Sequence, residues 1–163
     1  MSGAPHDLSG TWRGHYLQAR ARYGIAMEVA QEGARLRGRM RDEHTLIAGT
    51  EKLRGDDPGE DPTDYELLIT LPEHSEIEGE VDGDRVSFVK RYLGKHTARA
   101  LSERNELEVE IDGHHVLYAG HIEEGGAVLR GFWRIPPAFP GERGDTDRFE
   151  LHRDSGRPQP STA

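Results

Sequence analysis

From Gly10 to Arg153 the chain reads as short runs of alternating apolar and polar residues, broken by glycine, aspartate and proline. Neighbouring side chains on an extended strand point to opposite faces, so a period of two means strands with one apolar face. The runs fall at residues 10–18, 23–32, 35–42, 45–50, 64–71, 76–82, 85–92, 106–111, 114–123, 127–135 and 147–153. Residues 93–105, which hold Thr97-Ala-Arg-Ala-Leu-Ser-Glu-Arg104, read as one short helix. Glycine supplies 20 of the 163 residues, which suits a chain with many tight turns.

The turns test this reading, because a two-residue hairpin loop decides which residues face each other. A turn at Gly125-Gly126 sets Ile122 opposite Leu129, Gly120 opposite Gly131 and Tyr118 opposite Trp133. One at Gly33-Ala34 sets Val29 against Gly38 and Met27 against Met40. A turn at Asp82-Gly83 or Gly83-Asp84 brings Ile77, Gly79 and Val81 to the face of Val86, Phe88 and Lys90. One at Asp112-Gly113 sets Val109 opposite Val116 and Leu107 opposite Tyr118. Each register gathers the apolar residues on one side, and a slip of one residue would scatter them.

Consecutive antiparallel strands with one apolar face form a sandwich or a barrel, and only closure removes both edges. The expected fold is all-β: an antiparallel up-and-down meander closed into a single barrel of about 8–10 strands. Residues 9–154 form this one domain, with 51–63 as an acidic, Pro- and Gly-rich excursion loop. Residues 1–8 and 155–163 are polar or Pro-rich and read as loose tails.

Bulk properties remove several function classes. The formal charge of −9 opposes nucleic-acid binding, which needs a basic surface. The one basic cluster, Arg35-Leu-Arg-Gly-Arg-Met-Arg41, alternates and so occupies a solvated outer face. There is no cysteine for disulfide or thiolate chemistry. No apolar run approaches the ~20 residues of a membrane helix, and the start lacks the pattern of a secretory signal. A cytoplasmic protein without membrane contact is the expectation.

The inward face carries the interest. Parity places all five tyrosines there, Tyr16, Tyr23, Tyr65, Tyr92 and Tyr118, together with Met27, Met40, Trp133 and several glycines. Buried phenols need hydrogen-bond partners, so they imply a network, ordered water or a ligand. An aromatic cavity with a few polar tips describes most small-molecule sites, and a packed core with hydroxyls at the barrel ends is the other reading. Lys90 also falls inside, between Phe88 and Tyr92. Its amine must reach the mouth, pair with a carboxylate or lose its proton more easily. No cofactor or metal is expected. The nine histidines show no ligating spacing, and the acidic loop lacks the calcium-loop pattern.

Gly10-Thr-Trp12 opening the first strand, and Phe149-Glu-Leu-His-Arg153 in the last, resemble the calycin superfamily of lipocalins, fatty-acid-binding proteins and avidins. Gly10-Thr-Trp-Arg-Gly-His-Tyr16, Val86-Ser-Phe-Val-Lys-Arg-Tyr92, Tyr118-Ala-Gly120 and Leu129-Arg-Gly-Phe-Trp133 are similar to a bacterial lipocalin-like group. The resemblance implies that Trp12 closes one barrel end beneath a basic side chain, Arg153 or alternatively Arg148. It assigns no ligand, because the family's ligand motifs are missing.

These residues lead to a ligand-binding barrel. Tyr16, Tyr65, Tyr92, Tyr118 and Trp133 would line a cavity for a small, partly apolar and anionic molecule, with Met27 and Met40 as filler and Lys90 as the charged anchor. The alternative is an isomerase, cyclase or hydrolase using an internal Tyr or Lys as acid–base. That alternative requires a carboxylate or histidine inside, and the inward set offers only His114, near a turn.

Overall fold

The computed structural model describes residues 6–18, 20–53, 63–103, 106–112, 115–136 and 145–154. Among the described residues the eleven alternating runs and the stretch at 95–101 form twelve strands. They are β1 (Gly10–Gln18), β2 (Ala21–Glu32), β3 (Arg35–Asp42), β4 (Leu46–Leu53), β5 (Thr63–Thr70) and β6 (His74–Asp82). The second half supplies β7 (Arg85–Tyr92), β8 (Lys95–Leu101), β9 (Glu106–Asp112), β10 (His115–Glu123), β11 (Val128–Arg134) and β12 (Thr146–Arg153). Every strand pairing is antiparallel.

Eight strands close into a barrel in the order β1-β12-β11-β10-β7-β6-β3-β2, with β2 returning to β1. Three expected hairpins hold their register. Gly120 opposes Gly131 and Tyr118 opposes Trp133. Met27 opposes Met40, and Phe88 opposes Gly79 across a Gly83-Asp84 turn. The inward glycines let strands approach closely: a Cβ on Gly131 would lie 2.0 Å from the Ala119 carbonyl oxygen.

The remaining strands correct the single meander. β4, β5, β8 and β9 form a separate four-stranded sheet in that order. The expected Val109–Val116 and Leu107–Tyr118 pairs are not made. Val109 opposes Ala98 of β8, and Val116 opposes Lys90 of β7. The expected helix within 93–105 is strand β8, held between β5 and β9. Pairing on both sides satisfies its backbone groups, which outweighs the intrinsic helix preference of Ala98, Ala100 and Leu101.

The order β4-β5-β8-β9 follows that of the adjacent barrel strands β3-β6-β7-β10, to which each is joined in the chain. One side of the barrel is therefore continued beyond its rim. The break between tiers comes where Pro72 lacks an N–H and Gly94 takes φ +125°. Backbone bonds from Leu71 N–H to Thr45 O (2.7 Å) and from Asp42 N–H to Glu73 O (2.9 Å) lace the seam.

The opposite end is plugged. Trp12 is fully buried, and its indole N–H donates to Leu8 O at 2.9 Å. The Arg153 guanidinium lies 4.6 Å from the Trp12 ring centre. It donates to Asp7 O at 2.6 Å, Ser9 O at 2.9 Å and Gly126 O at 3.3 Å. One side chain thus covers the ring and ties down two chain segments, the stretch before β1 and the β10–β11 turn. Of the expected tail at 1–8, residues 1–5 lie outside the described residues, and Leu8 is buried under the indole. Residues 54–62 of the acidic stretch and 155–163 also lie outside them. Among the described residues no helix is long and apolar enough to cross a membrane.

Trp12→Ala should lower stability by about 3–5 kcal/mol, the usual cost of emptying a buried Trp site. Urea denaturation measures it, and a loss under about 1 kcal/mol would show that the plug is not an anchor.

Candidate functional site

Along β1, Trp12 stands at the plugged end and Tyr16 four residues nearer the other. The same climb runs along β7 from Val86 through Phe88 and Lys90 to Tyr92. Val81, Val86, Ile122, Leu129 and Leu151 pack the lower interior solidly. Above them Phe88 stacks on Tyr118 at 4.7 Å, with Phe149 edge-on to Tyr118 at 5.0 Å.

At the next level is an ion pair. Lys90 Nζ donates to Asp42 Oδ1 at 2.9 Å, and both side chains are 1% exposed. The ammonium also lies 4.6 Å from the Tyr92 ring centre and 5.6 Å from that of Tyr16. Burial pushes the Asp42 carboxyl above the usual carboxylate range, opposed by the Lys90 charge. Burial likewise pushes Lys90 down, opposed by Asp42. Desolvation leads in both, so the pair is held together against a cost rather than supplying much stability.

Above the pair the interior opens into a cavity of about 280 Å³. The barrel supplies Tyr16, Tyr92, Val116, Tyr118 and Trp133 to its lining, with Gln18, Ile135 and Asp145 at the rim. The second sheet contributes Ile69 and the buried His96, and the β5–β6 connection contributes Leu71. His96 sits edge-on to Tyr92, ring centres 4.6 Å apart. The Trp133 N–H is spent on Leu17 O at 2.9 Å, which fixes the ring against the cavity. Burial, with the Asp42 charge as a lesser cause, raises the pKa values of Tyr16, Tyr92 and Tyr118. All three phenols stay protonated at neutral pH and can donate as well as accept.

Of the expected lining residues, Tyr16, Tyr92, Tyr118 and Trp133 meet around this cavity. Met27 and Met40 are buried in the barrel core but do not line it. Tyr65 is corrected: it sits on β5 opposite Glu51, in the second sheet rather than the barrel wall. Lys90 is not among the residues that line the cavity; its charge is met by Asp42 and its amine lies against the Tyr92 ring.

Asp42 and His96 are the residues missed. Asp42 was legible, since Leu36, Gly38 and Met40 set the parity that turns residue 42 inward. His96 was hidden because its strand forms only by pairing with distant partners. With them the interior does hold a carboxylate beside Lys90 and a histidine beside a tyrosine. The chain matches no protein-family profile, no characterised protein and no solved structure.

Removing one partner of a buried pair strands the other charge, so Lys90→Met alone should cost about 3–5 kcal/mol. Asp42→Leu/Lys90→Met should recover most of that loss, because two apolar side chains need no pairing. Denaturation curves for the single and double variants decide the matter; equal losses would show that the pair is not coupled. The raised Asp42 pKa adds a pH signature. The folded protein keeps that proton to higher pH than the unfolded chain, whose value is near 3.8. Wild type should therefore lose stability relative to the double variant as pH rises above that value. A gain over the same range would reverse the sign of the shift.

Proposed function

We propose that this barrel binds a small, partly apolar molecule in the tyrosine-lined cavity at its open end. The carrying observation is a cavity of about 280 Å³ whose apolar walls are interrupted by two buried phenols, the half-buried Tyr92 and one buried imidazole. That volume lies at the lower edge of small-molecule sites and suits one ring with a short polar arm. Because Asp42 already meets the charge of Lys90, the polar arm is better read as a neutral hydrogen-bonding group than as an anion. A calycin-like frame supports the reading through the closed antiparallel barrel and the Arg153–Trp12 stack.

A second reading, an enzyme on the same barrel, is favoured by one specific observation. Asp42 lies beside Lys90 behind the cavity wall, with both groups pushed toward neutrality by burial. Pairs of titratable groups moved in this way are typical of acid–base sites, and structural ion pairs show the same shifts.

Saturation-transfer NMR with trans-cinnamyl alcohol tests the binding. The wild type should give a saturable signal, and Val116→Trp, which fills the cavity from β10, should weaken it at least tenfold. Binding undiminished by Val116→Trp would place the ligand elsewhere. Native mass spectrometry of the protein from its own cells should show a co-purifying small molecule.

A further inference from the structure

Lys90 is an amine enclosed by one carboxylate and two phenol rings. Its Nζ is 2.9 Å from Asp42 Oδ1, and the rings of Tyr92 and Tyr16 lie across it at 4.6 and 5.6 Å. Both rings also line the cavity. The two phenols that contact the amine are therefore also the ones that border whatever the cavity holds. Tyr92 is the half-buried ring of the two, and its rotation would open the way.

The carboxylate is built unlike a purely structural partner. Asp42 Oδ2 is buried and has no hydrogen-bond partner among the described residues. A buried charge kept only for packing gains from having both oxygens satisfied, and an orphaned oxygen costs stability. Beside an amine, that free oxygen is a place to receive a proton and to hold a water molecule. The apolar surroundings favour an uncharged amine, the nucleophilic form.

We propose that Lys90 forms an imine with an aldehyde or ketone held in the cavity, with Asp42 moving the protons. The proposal rests on the ligand-binding reading and names the class of ligand. Lys90 first passes a proton to Asp42, and its lone pair then forms a C–N bond as the carbonyl π electrons move to oxygen. Asp42 delivers its proton to that oxygen and takes one from nitrogen, which leaves a neutral carbinolamine. Returning this proton to the hydroxyl expels water as the nitrogen lone pair forms C=N. Amine and carbonyl give a protonated imine and one water, and the carboxylate is restored as counter-ion. No oxidant or cofactor enters the balance.

The sequence makes the test clean, because its only lysines are Lys52, Lys90 and Lys95. Lys95 is 62% exposed and serves as the reference amine. Wild-type protein is incubated with trans-cinnamaldehyde and sodium cyanoborohydride near neutral pH, and the modified peptides are mapped by mass spectrometry. Lys90 should be labelled at least tenfold faster than Lys95, and Asp42→Asn should slow that labelling at least tenfold. Lys90 labelled no faster than Lys95, or not at all, overturns the proposal. This comparison is made within the wild type and does not depend on any variant folding. Lys90→Arg provides the spectroscopic check: without reductant, the wild type should develop a red-shifted imine absorbance that this variant lacks. Cinnamyl alcohol, the same molecule without the carbonyl, separates the two readings. If the alcohol binds and Lys90 stays unlabelled, the imine falls and the cavity stands. If neither occurs, both fall.

Discussion

Pairing of β1 with β12 joins the two ends of the described chain, and the interior exists as a separate environment because of it. Trp12 faces Arg153 and Tyr16 faces Phe149 in that ladder. Without it β1 and β12 would be open edges, and the inward residues of every strand would lie on a curved but accessible sheet. Closure also forces an asymmetry. Trp12, Leu8 and Arg153 seal the end where the ladder finishes, so any opening must lie at the other end.

That asymmetry makes the position of the buried ion pair intelligible. The lower interior is packed with aliphatic and aromatic groups, and the cavity begins where packing stops. Lys90 and Asp42 stand at this boundary. Two charges removed from water there cost more than the attraction between them readily returns. The phenol rings lessen the cost by offering their faces to the ammonium, and the same two tyrosines line the cavity. Stability and the chemistry open to the cavity thus meet in the same few side chains.

The second sheet shows a different economy. It continues the wall built by β3, β6, β7 and β10, and it reaches the cavity through Ile69 and His96, beside Leu71 of the β5–β6 connection. Further out, Leu107 and Val109 on β9 are more than half exposed. Glu106, Glu108 and Glu110 alternate with them along the strand. Charges at this spacing on an edge discourage pairing with another chain.

Much of this was present in the alternation itself. The period of two, with glycine-bearing turns near 33–34, 83–84 and 125–126, points to those hairpins and to the inward set of their strands, because parity fixes the face even where two turn positions were open, as at 82–83 or 83–84. Parity also turned Lys90 and Asp42 inward, although nothing local in the sequence said that residues 48 positions apart would meet. Only the tertiary structure decided that β8 is a strand, that β9 leaves the barrel to pair with it, and that Tyr65 goes with them. The reason is physical. An isolated strand has no stability of its own, so which strands pair, and which side chains share an interior, is settled by partners far away in the chain.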